Sequence, residues 1–242
     1  MKIAICLSGL VGNIVGKSND SNIGVNEVLK LSYRHWNKQI IQTNGEIDFF
    51  VHSWDIDVQQ AIKRYFSPKL SSFEKQIIFD VPAHIIGDEN RKQSHYSRWY
   101  STMKSVELKA EYEIANNFKY DCVMISRFDI AWKKPIIFAD HDMSHVYCGG
   151  WWNQSDVSIK DFWFFSSSAN MDRFGELYSH IGHYMLTSNK RLNKKISSHK
   201  LAKYHIDKLG LKTKYLLKCD DNIDPTKSDY PLIRYEYFKA AE

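Results

Sequence analysis

Two residues of opposite charge, Arg127 and Asp129, follow directly on the apolar run Cys122–Ile125. Strand alternation puts both on one side of the chain. A guanidinium and a carboxylate projecting together from the end of a buried strand make a poor core, but they can hold a phosphate and its metal ion. In open α/β sheets ligands gather beyond the carboxyl ends of the strands, so this stretch reads as the active edge. Ser8 and Gly9 leave the first apolar run, Ile3–Leu7, and a glycine there lets backbone N–H groups approach an anion. The spacing is neither a P-loop nor G-x-G-x-x-G, and a plain turn fits it equally well. Asp55 lies just past the second run, Ile47–Ser53, either to meet a ribose or base or to cap the next helix.

These groups need a scaffold of alternating strands and helices. Apolar residues at helical spacing predict helices over 25–37, 58–66, 98–116, 171–185 and 199–209. Strands are expected at 3–7, 47–53, 76–81, 122–125, 146–148, 161–166 and 214–219, with 149–153 as a Gly-Gly-Trp-Trp loop. Arg98 and Lys104 fall in the first two turns of the expected long helix, where the dipole disfavours cations. Either a bound anion compensates them or they lie on a solvated face. The alternation predicts a three-layer α/β/α sandwich, a single domain over 1–242 with a mixed, mainly parallel sheet. Residues 1–135 would hold the first substrate and 136–242 the second.

The chain has 242 residues, 43% hydrophobic and 25% charged, as expected of an ordinary globular protein. A net charge of +5 suits an anionic small molecule and falls short of a nucleic-acid binder. Cys6, Cys122, Cys148 and Cys219 have neither C-x-x-C nor zinc spacing and read as reduced, buried hydrophobes, which points to the cytoplasm. No run of about 18 apolar residues predicts a membrane span. The basic stretch Lys190–Lys203 either touches a membrane surface or acidic glycan, or is a solvated loop and helix face.

Taken together, Lys2–Leu10, Asp48–Asp55, the Trp-Tyr-Ser-rich helix, Tyr120-Asp-x5-Arg-Phe-Asp129 and Asp161–Ser168 resemble GT-A-type glycosyltransferases. The likeness is greatest to members from surface-polysaccharide clusters and large viruses, and it covers most of residues 1–210. It implies a GT-A-like domain that moves a sugar from a nucleotide-sugar donor to a saccharide, glycolipid or other hydroxyl acceptor. It also implies a D-x-D motif holding the donor diphosphate through Mn²⁺ or Mg²⁺. Arg127-Phe128-Asp129 stands in that place, with arginine at the first acidic position. Either Asp129 keeps the metal-ligand role, or the guanidinium neutralises the diphosphate directly.

Sugar–phosphate cleavage needs charge stabilisation on the departing diphosphate and a base for the acceptor hydroxyl. Ser8, Gly9, Asp55, Arg98, Lys104, Arg127 and Asp129 are the donor-binding candidates. Asp161, or failing it Asp156, is the candidate base; Trp151 and Trp152 are stacking platforms for the acceptor or else core. His52, His199 and His205 are weighed as metal or phosphate partners. A sugar nucleotidyltransferase and a non-catalytic nucleotide- or carbohydrate-binding relative are the alternatives.

Overall fold

The computed structural model describes residues 1–14, 24–151, 156–186, 191–192, 195–219 and 227–234. Among them seven strands form one sheet in the order β3-β2-β1-β4-β6-β5-β7. They are β1 Ile3–Ser8, β2 Ile47–Ser53, β3 Leu70–Phe73, β4 Cys122–Ser126, β5 Val146–Trp151, β6 Trp163–Ser166 and β7 Thr213–Cys219. All run parallel except β6, which pairs antiparallel with both β4 and β5. The sheet is therefore mixed and mainly parallel, in an α/β protein.

The helices are α1 Val25–Trp36, α2 Gln42–Asn44, α3 Gln59–Phe66, α4 Glu89–Ala115, α5 Ser168–Gly175, α6 Leu177–Leu186 and α7 Ser198–Lys208. Strand β1 is buried along its whole length, and its side chains divide by alternation. Ile3, Ile5 and Leu7 pack with α1 and α3, whereas Ala4 and Cys6 pack with α4 to α7. Four free cysteines are buried, and burial pushes the Cys6 thiol up to about 12, so it packs as a neutral hydrophobe. Among the described residues no helix is long and apolar enough to cross a membrane.

Besides the single helix expected over 171–185, which forms as two, α5 and α6, three elements depart from the sequence expectation. The third strand lies at Leu70–Phe73, not at 76–81. The side-chain amide of Gln93 captures the backbone N–H and C=O of Phe79, each at 2.8 Å, so that segment has no need of a ladder. The long helix begins at Glu89, where Asp88 caps it by accepting from the Arg91 N–H at 3.0 Å. Residues 89–97 are polar and fall outside the helix expected over 98–116, but a good cap and an acidic first turn start a helix without apolar residues. Arg98 and Lys104 consequently sit in mid-helix, and the dipole argument for an anion does not apply to them.

The third departure is at Gly149 to Trp151, which extend β5 where a loop was expected. The register against β7 skips Leu217, which adopts a left-handed φ of 58° as the extra residue of a bulge. Gly149 is required there, since a Cβ would lie 1.9 Å from the hydroxyl of the buried Tyr230. Tyr230 belongs to the C-terminal segment 227–234, which runs back along the chain leaving β4. Ile233 N–H donates to Asp129 C=O at 2.9 Å and Ala131 N–H to Pro231 C=O at 2.9 Å.

Candidate functional site

The chain lays β1, β2 and β3 outward on one side of β1, then crosses to β4 on the other. The strand order therefore reverses between the exits of β1 and β4, the position where open α/β sheets form a crevice. Ser8 ends β1 there, Ser126-Arg127 leaves β4, and antiparallel β6 brings Asp161 and Phe162 to the same edge. The Arg127 N–H donates to Phe162 C=O at 3.2 Å, which locks the two segments together.

Arg127 and Asp129 do share one side, and they bind each other. Nε donates to Oδ1 at 2.8 Å and the outer nitrogen to Oδ2 at 2.7 Å. The side chains are 12% and 3% exposed, so the fork is nearly dry. Arg98 arrives from α4. One guanidinium nitrogen donates to Ser8 Oγ at 3.0 Å and to Thr102 Oγ1 at 2.7 Å, and the other to Asp161 C=O at 2.8 Å. Its buried Nε has no partner among the described residues. Burial pushes its pKa down to about 10, which leaves it charged at neutral pH.

Asp161 lies beside both arginines and accepts from His199 Nδ1 at 3.0 Å. Burial alone would raise its pKa, but His199, Arg98 and Arg127 hold the carboxyl well below the usual range. His199 moves the opposite way. Burial disfavours its charge, yet contact with Asp161 outweighs that and raises it. Lys160, fully buried, lays its Nζ 3.8 Å from the centroid of the Trp151 ring, and His199 meets the same ring edge-on at 5.1 Å.

The structure brings Ser8, Arg98, Arg127, Asp129, Asp161 and Trp151 together. The Gly9 N–H is already committed to His52 C=O and Ser101 Oγ, at 3.1 and 2.7 Å, so Gly9 shapes the loop and offers no free amide. Asp55 accepts from Val11 N–H at 2.5 Å and ties the exits of β1 and β2. Lys104 is not at the site: it pairs at 2.8 Å with Glu107 on the outer face of α4. Asp156 is also elsewhere, exposed beside Arg191 and Asp207 on the flank of α7. Trp152 lies outside the described residues, as do Lys190, Asn193 and Lys194 of the basic stretch Lys190–Lys203.

Sequence reasoning missed Thr102, Lys160 and His95, whose Nδ1 lies 2.6 Å from Ser198 Oγ beside His199. His95 and Thr102 both lie on α4, two helical turns apart with Arg98 between them, whereas Lys160 comes from the segment before β6. His52 bridges Ser101 Oγ and Glu74 Oε1, both at 2.7 Å, in the order of a hydrolase triad. Ser101 is fully buried and its oxygen takes the Gly9 N–H, so the arrangement is a structural tie.

His205 is no metal or phosphate partner. It is fully buried between the Tyr184 hydroxyl, 2.7 Å from Nδ1, and Arg173 C=O, 3.1 Å from Nε2. Burial pushes its pKa down to about 4. The unfolded chain therefore binds the extra proton between about pH 6.5 and 4, and stability falls with pH across that window. Urea unfolding is expected to show the loss, and His205→Gln to lessen it.

The donor set does not suit a divalent cation. Both oxygens of Asp129 accept from Arg127, one of Asp161 accepts from His199, and basic side chains surround them. Among the described residues no three His, Cys, Asp or Glu side chains converge as a ligand set. What the arrangement offers is a dry, preorganised cationic floor beside an ionised carboxylate. Comparison of the sequence with protein-family models and with curated proteins yields no match.

Proposed function

We propose that the protein is a glycosyltransferase which grips the diphosphate of a nucleotide-sugar donor between Arg98 and Arg127. The single observation that carries this reading is the convergence of those two guanidinium groups with Asp161 at the switch point of the sheet. Departure of a nucleoside diphosphate leaves negative charge on phosphate oxygens, and rigid guanidinium groups in a water-poor site stabilise it without reorganising. Asp161 and the groups around it supply the acid–base work on the acceptor hydroxyl. The acceptor, a saccharide or glycolipid, would enter beside Trp151. We read the two helix sets, one on each face of β1, as a three-layer sandwich of GT-A type, and the C-terminal half as the acceptor side.

Asp129 then acts on the donor through Arg127, whose fork it aims. A Mg²⁺ or Mn²⁺ bridge from Asp129 to the diphosphate would require Arg127 to release that carboxylate first. Thermal unfolding against UDP- and GDP-sugars separates the two. The cation-independent grip predicts stabilisation that persists in excess chelator, about 2.7 kcal/mol at a ligand concentration of 100 Kd. Stabilisation only with Mn²⁺ or Mg²⁺ would return Asp129 to a ligand role. No stabilisation by any nucleotide under either condition sinks the reading, and binding without transfer or donor hydrolysis would leave a non-catalytic module.

A further inference from the structure

His199 is one of the groups around Asp161, and its geometry gives it a particular role there. Its ring lies in the first turn of α7 with Nδ1 between two acceptors, Asp161 Oδ1 and Ile159 C=O, each at 3.0 Å. Two acceptors facing one ring nitrogen require that nitrogen to carry the proton. The lone pair of the neutral ring is then on Nε2. The backbone fixes the orientation a second time, because Ile159 N–H donates to His199 C=O at 3.3 Å. The side chain is 34% exposed, whereas Asp161 is only 10% exposed. Of the pair, the imidazole is the member a substrate can reach.

We propose that His199 Nε2 takes the proton of the acceptor hydroxyl and that Asp161 is its positioning residue. The proposal rests on the glycosyl-transfer reading above. In the step, the hydroxyl proton passes to Nε2 and the oxygen lone pair forms the new bond to the anomeric carbon. The bond from that carbon to the phosphate oxygen breaks. Its electron pair leaves with the nucleoside diphosphate, whose charge meets Arg98 and Arg127. The imidazolium so formed is stabilised by the Asp161 carboxylate and later returns its proton to water.

The groups facing the ring from the packed elements are Asp161 and Lys160 from the segment before β6 and His95 from α4. Burial drives His95 down to about 4, so it is neutral when His199 titrates. Asp161, adjacent and ionised, outweighs Lys160 in its effect on the ring. The rate should therefore rise with pH as His199 loses its proton, with a midpoint above the usual histidine value.

Long-range ¹H–¹⁵N spectra of histidine-labelled protein test the assignment with no substrate present. The expected result is an Nδ1–H tautomer for His199, with a midpoint above 6.5 that falls in Asp161→Asn. An Nε2–H tautomer overturns the proposal. The second arm uses His199→Asn, whose amide can still donate toward Asp161 and Ile159 but has no accepting nitrogen. With UDP- and GDP-sugars as donors and simple glycosides as acceptors, transfer should drop about 10²- to 10⁴-fold. Nucleotide-dependent thermal stabilisation should stay as in the parent protein, and the rise of rate with pH should disappear. Transfer at the parent rate by His199→Asn would also overturn it. If the parent protein neither binds a nucleotide nor transfers a sugar, it is the underlying reading that fails, while the spectra still decide which nitrogen accepts.

Discussion

Arg127→Met is expected to abolish nucleotide-dependent stabilisation and to lower folding stability by about 3–5 kcal/mol. The fold term arises because Asp129 is 3% exposed and both its oxygens accept from this one guanidinium. Removing the guanidinium takes away the charge that compensates a buried carboxylate. The binding term is separate. Arg127 lies at the switch-point edge beside Asp161 and over the Phe162 ring, with 5.0 Å from guanidinium carbon to centroid. The double variant Arg127→Met/Asp129→Leu distinguishes them. Replacing both members of a buried pair by apolar groups is often neutral, so most of the stability should return while binding stays lost. Urea unfolding reads the first quantity and thermal shift with UDP- and GDP-sugars the second. A double variant that still binds nucleotide would remove Arg127 from the proposed grip.

A comparable loss, about 3–5 kcal/mol, is expected for Lys109→Met, this time without effect on the site's chemistry. Lys109 is fully buried on the sheet-facing side of α4. Its Nζ donates to Glu113 Oε2 at 2.9 Å, to Ser168 Oγ at 2.7 Å and to Asp172. Glu113, also buried, takes further donors from Tyr120 N–H, Ser168 and Lys119. Burial would raise its pKa, but these bonds together lower it, so the carboxylate stays ionised and needs its partners. The network clamps α4 to α5 at the edge where the parallel strands begin, far from Arg127. Lys104→Met is the control: that lysine pairs with Glu107 near the surface, and such a pair contributes about 0–1 kcal/mol. Equal losses for the two lysines in urea unfolding would contradict the account.

The contrast between these two lysines was not legible in the sequence, where both are basic residues on one amphipathic helix. Only the packing of Ser168 and Asp172 from α5 against one face of α4 separates them. Other features were legible because their causes are local. Continuous apolar runs marked β1 and β4, and the shorter run Phe49–Val51 marked β2, since strands buried on both faces carry little polar alternation. Spacing of two along an extended chain put Arg127 and Asp129 side by side, as observed. Gly210, directly after the helix expected over 199–209, takes φ 69°, the left-handed geometry that ends a helix.

The amino-acid order by itself therefore determined an α/β architecture, most of its elements and one charged pair at the end of a buried strand. Those follow from periodicity and from neighbours within a few residues. Tertiary structure alone decided that Arg127 faces Asp129 as a closed fork, that Arg98 joins it from mid-helix, and that Asp161 meets His199. It also removed Lys104 and Asp156 from the group. The reason is physical: where a side chain ends up at a sheet edge depends on strand order and helix packing, and both are set by contacts between segments distant along the chain.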